Sequence, residues 1–277
     1  MTQLPPAIWR VIHTLPAAGA WNMAVDEAIL EFSARRETPP TLRLYAWQPA
    51  CLSLGYAQPA ADVEQAALQA NGWDLVRRPT GGRAILHTDE LTYSVAGPQD
   101  EPRLAGGVLE SYRVLSAALL DALHRLAVPA GASEKSGAPA GAAPANPVCF
   151  EVPSNYEITV DGRKLVGSAQ SRRKEGVLQH GSLPLVGDLA RIAQALAFPD
   201  PAARQEASER LLERATTVER VLGRPVDWAQ AAAAFEAGFR SALNLDLQPG
   251  ELTAGELARA RELLDEKFAN PSWTGRI

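Results

Sequence analysis

Cys149 is the best candidate for a nucleophile in this chain of 277 residues. The chain has two cysteines, and Cys51 lies in an apolar run, where a free cysteine is usually a small buried side chain. Cys149 instead lies between a segment rich in Ala, Pro and Gly and the polar stretch FEVPSNYE. Loops on rigid scaffolds often hold nucleophiles, and the reactive thiolate requires a nearby cation. We therefore expect Cys149, and not Cys51, to be reactive.

Lys164 follows a predicted turn at Asp161-Gly162. A lysine in such a place is ordinarily a solvated surface charge, and residue type alone favours that interpretation. Alternation along a strand predicts that Lys164 and Val166 share one face. The next three residues are unusually small for a strand, namely Gly167, Ser168 and Ala169. Small residues there indicate that something packs against the backbone.

A second segment with glycines, RRPTGGRAILH, covers residues 77–87. Its glycines allow backbone amides to approach a ligand, and its basic side chains can bind an anion. The spacing matches neither GxGxxG nor a P-loop, so a hairpin turn and a ligand-binding loop both remain open. The candidate residues are Arg77, Arg78, Gly81, Gly82, Arg83 and His87.

Composition and charge argue against several classes of protein. The formal net charge is -5, whereas a general nucleic-acid binder is usually basic. No segment has the roughly 20 apolar residues of a membrane span, and no basic start precedes an apolar core, so we expect neither a membrane helix nor a signal peptide. No pair among the 4 histidines is spaced i, i+4, and no metal site is predicted. The 2 cysteines form no disulfide framework, which favours a reduced, cytoplasmic protein.

The elements that must position these residues are mixed in type. Apolar patterns predict strands over 8–14, 41–47, 51–56, 73–78, 84–96, 156–160, 163–169 and 176–186. They predict helices over 20–35, 62–71, 107–127, 188–197, 201–214, 227–243 and 253–268. The Asp161-Gly162 pair is a strong hairpin signal. This order predicts an α+β fold, with a mixed or antiparallel β-sheet core flanked by helices and a helical C-terminal tail.

We expect one domain over residues 1–277. Within it, residues 129–147 are almost all Ala, Pro, Gly and Ser and can bury little, so we predict a flexible surface loop that leads to Cys149. Residues 188–277 are predicted to be mainly helical. The pattern leaves open whether this segment belongs to the core or forms a semi-independent cap.

Together these segments resemble the lipoate and biotin protein ligase superfamily over nearly the whole chain. RRPTGGRAILH followed by ELTYSV (90–95) is similar to its central motif, WNMAVDEAIL (21–30) to its first helix, and DGRKLVGSAQSR (161–172) to its lysine motif. KFANPSW (267–273) is also typical of it. CFEVPSNYEITVDGRKLVGSAQSR (149–172) and VLQHGSLPL (177–185) resemble the octanoyltransferase branch, which has its cysteine ahead of the lysine hairpin.

The resemblance implies an enzyme that takes octanoyl from acyl carrier protein and transfers it to a lysine of a lipoyl domain, typically glycine cleavage H protein. It implies Cys149 as the nucleophile and Lys164 as its supporting cation. The expected substrate-binding residues are Arg77, Gly81, Gly82, Arg83, His87, Gly167, Ser168 and Ala169. We expect no ATP, no metal and no other cofactor, and we expect a monomer.

Partner electrostatics add one expectation. Acyl carrier proteins and lipoyl domains are acidic as families, and so is this chain, so a local basic patch must dominate docking. The predicted patch consists of Arg78, Arg163, Arg172 and Arg173, with Arg77 and Lys174 as further candidates. For Arg173 and Lys174 a solvated face without a partner remains open.

Three alternatives remain open from the sequence. The first is an ATP-dependent lipoate–protein ligase, although those ligases generally lack this cysteine. The second is an amidotransferase that moves octanoyl between lipoyl domains. The third is a non-catalytic module that binds an acyl or biotinyl ligand and does not need Cys149. Dependence on ATP, donor preference and a Cys149→Ala variant distinguish these alternatives.

Overall fold

The structure is a computed structural model that describes residues 4–133, 157–174 and 176–277. Cys149 and residues 134–147 of the predicted loop lie outside the described residues, so the expectations for them rest on the sequence. Within the described ranges, no helix is both long enough and apolar enough to cross a membrane.

Two β-sheets form the framework of the described part of the chain. Their strands are β1 (Ala7–His13), β2 (Thr41–Tyr45), β3 (Cys51–Leu54), β4 (Asp74–Arg77), β5 (Ile85–His87), β6 (Glu90–Gly97), β7 (Gly131–Ser133), β8 (Glu157–Val160), β9 (Arg163–Arg173), β10 (Gly176–Pro184) and β11 (Leu245–Pro249). The helices are α1 (Gly19–Ala34), α2 (Gln65–Asn71), α3 (Val108–Arg125), α4 (Pro201–Arg214), α5 (Val218–Leu222), α6 (Trp228–Ala242), α7 (Ala254–Leu263) and α8 (Pro271–Thr274). Short 3₁₀ turns cover Ala60–Asp62 and Leu189–Gln194, and a π-helical turn covers Leu264–Phe268.

The larger sheet has the strand order β11-β1-β2-β6-β10-β9-β8-β7. The β11–β1 and β1–β2 pairs are parallel, and the other pairs are antiparallel. The smaller sheet has the order β4-β3-β5, with β3 parallel to β4 and antiparallel to β5. A mixed sheet with helices on its faces confirms the predicted α+β class.

Alternation along the strands sends side chains of the larger sheet into two different cores. Leu91, Tyr93 and Val95 of β6 pack in the core that contains residues of α3 and α6. The other face packs against α1, where Leu178 of β10 joins Met23 in a second core. The smaller sheet lies on this α1 side, because its Cys51 belongs to the same core. The space between the two sheets is therefore bounded by α1.

The β8–β9 hairpin forms at the predicted turn. Asp161 has φ 49° and Gly162 has φ 75°, and a two-residue type I′ turn requires positive φ at both positions. The register shifts between Ile158 and Thr159, as at a β-bulge. The turn therefore determines the position of Lys164, which is the second residue of β9.

The segment after Asp188 contains a strand that the helical prediction missed. β11 pairs in parallel with β1. Its Leu245 and Leu247 are buried while Asp246 is exposed, which is the alternation of a half-buried strand. The strand partner, β1, is distant in sequence. The five residues of β11, which lie between two helices, therefore gave no local indication of a strand. α6 shares a core with the larger sheet through Phe235.

Two other local predictions need correction. Gly131–Ser133 forms β7 and pairs with β8, so the prediction of a flexible loop is wrong for these first residues of 129–147. Asp62 does not begin α2: it lies in a 3₁₀ turn, and the residue before α2 is Glu64, which makes no side-chain cap. Gly72 ends α2 in the left-handed conformation, as predicted.

Candidate functional site

A small, partly closed cavity of about 40 Å³, which we call the enclosed cavity, lies between the two sheets. One wall follows a single register row of the larger sheet, formed by Gly167, Ser182, Thr92 and Tyr45. The facing wall comes from the smaller sheet and the loop after β4, and includes Ser53, Arg78, Gly82, Ile85 and His87. Met23 of α1 and Trp47 after β2 complete the enclosure, together with Ser168, Ala169, His180 and Gly181.

An open cavity of about 1000 Å³ adjoins the enclosed one. Gly82 and Ser168 line both cavities, so the two meet at these residues. The lining of the open cavity is rich in basic and aromatic side chains, namely Tyr56, Arg83, Lys164, Arg172, Arg173, Lys267 and Trp273. A ligand with an apolar tail and a polar head group can lie across this junction with its tail enclosed.

Lys164 is buried although it carries an ammonium group. Its residue surface is 6% exposed, and Nζ lies 3.3 Å from Oε1 of Glu157. Lysine is almost never this buried unless it is paired. Its backbone carbonyl accepts a hydrogen bond of 3.0 Å from the amide of Thr216, which holds this end of β9. Interpreting Lys164 as a solvated surface charge is therefore wrong.

Trp47 and His87 form a stacked pair within the enclosed cavity. The ring centroids are 4.0 Å apart and the planes differ by 9°. The indole Nε1 donates to Thr92 Oγ1 over 2.8 Å. On the imidazole, Nε2 lies 2.8 Å from Ser53 Oγ and Nδ1 lies 2.7 Å from Glu90 Oε1. Hydrogen bonds on both rings therefore fix the stack in one orientation.

Glu90 is the carboxylate that organises this end of the cavity. It accepts hydrogen bonds from the hydroxyl groups of Thr92 and Ser182 as well as interacting with His87. Burial raises the pKa of Glu90, but the charge of His87 and these hydrogen bonds outweigh burial, so the pKa lies below its ordinary value. The carboxylate stays ionised and satisfies three neighbours at once.

A second buried network lies beside the first. His180 Nε2 lies 2.6 Å from Thr80 Oγ1, and its Nδ1 lies 3.5 Å from Asp26 Oδ2. Asp26 also accepts hydrogen bonds from Arg43 Nη1 over 2.7 Å and from the Tyr45 hydroxyl over 2.9 Å. Burial lowers the pKa of His180 even though Asp26 opposes that shift. Burial of His180 therefore favours the neutral imidazole.

The sequence comparisons agree with this arrangement. The lipoyl protein ligase A/B catalytic domain matches residues 18–240. The octanoyltransferase LipM of Kyrpidia tusciae is 43% identical over 97% of this chain and 98% of its own length. The octanoyltransferase LipM of Bacillus subtilis is 37% identical over 96% of this chain and 97% of its own length. This chain belongs to the lipoyl protein ligase A/B catalytic domain family.

Solved structures of the family have the same fold. A bipartite lipoate protein ligase from Thermoplasma acidophilum has a TM-score of 0.80 and 25% identity, and the match covers 98% of each chain. A lipoate-protein ligase A bound with ATP has a TM-score of 0.79 and 25% identity, and the match covers 98% of this chain and 100% of that one. The sheet and helices described above are therefore the family's framework.

Most of the predicted substrate-binding residues lie together at the junction of the two cavities. Gly81 and Arg83 line the open cavity, and Gly82 lines both. Gly167, Ser168 and Ala169 face them from β9, and His87 lies deeper in the enclosed cavity. The two small-residue segments of the sequence thus meet across one opening.

Arg77 and Arg78 need correction, because neither is a surface cation. Arg77 is fully buried, and its guanidinium donates to the carbonyls of Gly55, Gln58 and Thr274. Arg77 lines neither cavity, so it anchors backbone and does not contact a substrate there. Arg78 is 3% exposed and donates to backbone carbonyls of Ser53 and Arg83, so it cannot belong to a docking patch.

The other predicted patch residues lie along β9. Arg163 is exposed beside the hairpin turn. Arg172 is half-buried, donates to the carbonyl of Leu104 over 2.9 Å, and lines the open cavity. Arg173 also lines that cavity and lies 3.4 Å from Glu27 Oε1. Arg163 is therefore the best exposed of these cations.

Sequence reasoning missed several residues that shape the site. Trp47 carried no recognisable signal, and Asp26 and Glu90 lie in the segments WNMAVDEAIL and ELTYSV but were not singled out there, because each of the three has a partner that is distant in sequence. Lys267 and Trp273 line the open cavity and belong to the KFANPSW segment, which was noted only as typical of the superfamily. Cys51 is fully buried, and burial raises its pKa well above the ordinary value, so it is inert as predicted.

Proposed function

We propose that this chain is an octanoyltransferase of lipoate biosynthesis that takes octanoyl from acyl carrier protein and transfers it to a lysine of a lipoyl domain. The relatives named octanoyltransferase match almost the whole chain. The observation that carries the proposal is the buried ammonium of Lys164 in the lining of an open cavity that adjoins an enclosed one. That arrangement suits a thioester head group with an apolar tail.

The reaction has two steps in this proposal. The Cys149 thiolate attacks the carbonyl carbon of the octanoyl thioester, a new C–S bond forms, and the carrier's sulfur leaves and takes up a proton. The acceptor amine then attacks the Cys149 thioester, an amide forms, the amine loses a proton, and the Cys149 thiolate is regenerated. Cys149 lies outside the described residues, so its role rests on the sequence motif.

Lys164 supports both steps electrostatically. Its ammonium stabilises the Cys149 thiolate and then the negative charge that develops on the thioester oxygen. A donor fixed in this way is typically worth about 3 kcal/mol in the transition state. The burial of Lys164 supports this role, because a charge shielded from water acts more strongly on its neighbours.

The enclosed cavity supplies binding for the octanoyl chain. Burial of each methylene group contributes about 0.8 kcal/mol, so the tail needs no charged contact. The polar groups that line the cavity are bonded to one another through Glu90 and Asp26, so an apolar tail leaves few hydrogen bonds unmade.

The proposed reaction requires neither ATP nor a metal, and glycine cleavage H protein is the proposed acceptor. We also propose that residues 1–277 act as one monomeric, cytoplasmic domain.

A transfer assay with a choice of donors tests the proposal. Purified protein is given a lipoyl domain and either octanoyl-acyl carrier protein without ATP or free octanoate with ATP and Mg²⁺. We expect octanoylation of the acceptor from the carrier-protein donor alone. An ATP-dependent ligase is the competing function, favoured by the ligase neighbour that binds ATP. Acceptor modification only with free acid and ATP would establish that ligase instead.

A further inference from the structure

We propose that Glu157 is a positioning residue for the transfer reaction and that, together with a β-bulge in β9, it holds the Lys164 ammonium in the lining of the open cavity. This inference rests on the proposed function, because it assumes that Lys164 assists Cys149. Glu157 itself lines neither cavity, so it acts through Lys164. The assignment follows from the strand register, from the burial of the two charges and from their contact.

The register of the β8–β9 hairpin places one extra residue in β9. Thr159 pairs with Lys164. The preceding residue, Ile158, pairs with Val166, so Leu165 has no residue opposite it in β8. Leu165 and Val166 are adjacent, yet both belong to the core that contains residues of α3 and α6. Regular alternation would put them on opposite faces, so the bulge interrupts it here. The prediction that Lys164 and Val166 share one face is therefore wrong.

The bulge determines which face of the sheet receives Lys164. In a regular strand, residues three apart point to opposite faces, so the sheet would separate Lys164 from Gly167. The extra residue returns Lys164 to the face of Gly167, opposite the core that contains Leu165. Gly167 lines the enclosed cavity, and Lys164 lines the open cavity that adjoins it. The bulge therefore brings the ammonium to the cavity side of the sheet.

Glu157 lies on the same face, within reach of Lys164. Ile158 and Val160 belong to the core on the opposite face. Alternation along β8 therefore puts Glu157 and Thr159 on the cavity side. Because Thr159 is the residue opposite Lys164, Glu157 is the diagonal neighbour, a separation that long side chains span. The contact is present, with 3.3 Å between Glu157 Oε1 and Lys164 Nζ.

The burial of both charges makes this contact important for the position of the ammonium. Glu157 and Lys164 are each 6% exposed. Separating a buried ion pair is costly, because each charge is left in a place shielded from water. Lysine carries its charge on a flexible stem, so the direction of the ammonium depends on such a partner. A misplacement of about 1 Å can lower the rate of an enzyme about 100-fold.

Two substitutions test the role of Glu157. Glu157→Gln keeps the size of the side chain and removes its charge, whereas Glu157→Asp keeps the charge and shortens the side chain by about 1.5 Å. Intact-mass spectrometry measures how fast octanoyl-acyl carrier protein acylates Cys149 over a range of donor concentrations. We expect Glu157→Gln to lower the maximal rate roughly 10- to 100-fold, with little change in the half-saturating donor concentration. Glu157→Asp should lose less.

The order of the two variants distinguishes positioning from packing. If Glu157 only filled space, the Gln variant, which has the same shape, would be the more active one. If Glu157 holds the ammonium through its charge, the Asp variant is the more active one. A Gln variant that acylates as fast as the Asp variant, or as fast as wild type, would overturn the inference.

Glu256 provides a matched control, because it also belongs to a buried ion pair. It is fully buried, accepts a hydrogen bond of 2.9 Å from Arg10 Nη1, and lines neither cavity. Glu256→Gln should reduce stability and leave the maximal acylation rate near that of wild type. An equal fall of the rate in Glu256→Gln and Glu157→Gln would mean that loss of any buried pair suffices, and the inference would be wrong.

Alkylation of Cys149 by iodoacetamide separates this inference from the proposed function. The reaction needs a thiolate and no octanoyl donor, and Cys51 does not compete because it is fully buried. We expect slower alkylation in Glu157→Gln than in wild type. That result, without any octanoyl transfer by wild type, would support the inference and contradict only the proposed function. If Glu157→Gln does not fold, Glu157→Asp decides, and alkylation at the wild-type rate would overturn the inference.

Discussion

His180 is a residue at which burial and a carboxylate act in opposite directions. Burial lowers its pKa, Asp26 raises it, and burial has the larger effect. The same Asp26 is itself buried, yet Arg43 and His180 outweigh the effect of burial and lower its pKa. Both groups thus hold fewer protons in the folded protein than in the unfolded chain at mildly acidic and acidic pH.

The stability of the protein should therefore fall on acidification in a way that depends on His180. Its folded pKa lies below the unfolded value of about 6.5, so its contribution is complete above that pH and is lost as the pH falls through the folded pKa. Between about pH 7.5 and 5.5 we expect wild type to lose more unfolding free energy than His180→Asn. Urea denaturation at each pH measures this, and parallel pH curves for the two proteins would contradict it.

The role of Arg77 could not be predicted from its residue type alone. Next to Arg78 and a glycine pair it suggested anion binding, but its partners are carbonyl groups, including that of Thr274, which is distant in the chain. Trp273 returns a hydrogen bond of 2.9 Å to the Arg77 carbonyl. The two arginines are predictable as important, but their role as backbone anchors depends on contacts that only the folded chain brings together.

An Arg77→Met variant should lose stability and not donor recognition. Several buried carbonyls would lose their donor, and we expect a loss of about 3 kcal/mol of unfolding free energy. The control is Arg36→Met, which removes an exposed ion pair with Asp100 and should change stability by less than about 1 kcal/mol. Chemical denaturation measures both. A stable Arg77→Met protein with weakened binding of the carrier protein would restore the predicted ligand role.

At the scale of elements, adjacent glycines in the loop after β4 have different tasks. Gly82 has φ 94°, and its carbonyl oxygen lies where a side chain at Gly55 would begin. At Gly81 an added Cβ would meet nothing within 4 Å. The sequence presents the two as one motif, but only Gly82 needs the freedom of glycine.

Alanine substitutions should separate the two glycines. Gly82→Ala places a Cβ on backbone with positive φ, which costs about 1–2 kcal/mol, and it disturbs a residue that lines both cavities. Gly81→Ala should remain within about 0.5 kcal/mol of wild type. Denaturation and octanoyl-transfer rates measure the pair. Equal effects of the two substitutions on stability and rate would refute this distinction.

The elements themselves were largely predictable, with instructive exceptions. The β8–β9 hairpin followed from Asp161-Gly162, because local turn chemistry determines it. β11 did not follow from the sequence, because its strand partner within the described residues is β1, at the other end of the chain. β7 was missed for a similar reason, since Gly131–Ser133 gains its pairing from β8 beyond the Ala/Pro/Gly segment. Local signals thus predict turns and helices better than distant strand pairs.

At the scale of the whole molecule, the net charge of the chain and the charge of the side chains around the site have opposite signs. The chain has a formal net charge of -5, but basic side chains gather around the open cavity. The two small-residue segments that the sequence predicts to bind substrate line adjoining cavities, and their role in binding stays a prediction. The roles of Trp47, Glu90 and Asp26 were not predictable, because they arise from hydrogen bonds between different elements of the fold.

Local charge should control docking of an acidic donor protein more than net charge does. Arg163→Glu and Arg261→Glu alter the net charge equally, and both side chains are exposed, but only Arg163 adjoins Lys164. We expect Arg163→Glu to raise KM for the carrier-protein donor severalfold at low salt, with the effect screened at high salt. Arg261→Glu should behave as wild type. Equal changes in KM would indicate that net charge, and not the patch, governs encounter.

The account depends most on a covalent octanoyl group at Cys149, and intact-mass spectrometry tests it directly. Wild type and Cys149→Ser are incubated with octanoyl-acyl carrier protein without an acceptor, and each mass is recorded before and after hydroxylamine. We predict one octanoyl adduct on wild type that hydroxylamine removes, and none of this labile thioester on Cys149→Ser. Acceptor octanoylation without any adduct on wild type, or an equally labile adduct on both proteins, would contradict the proposed mechanism.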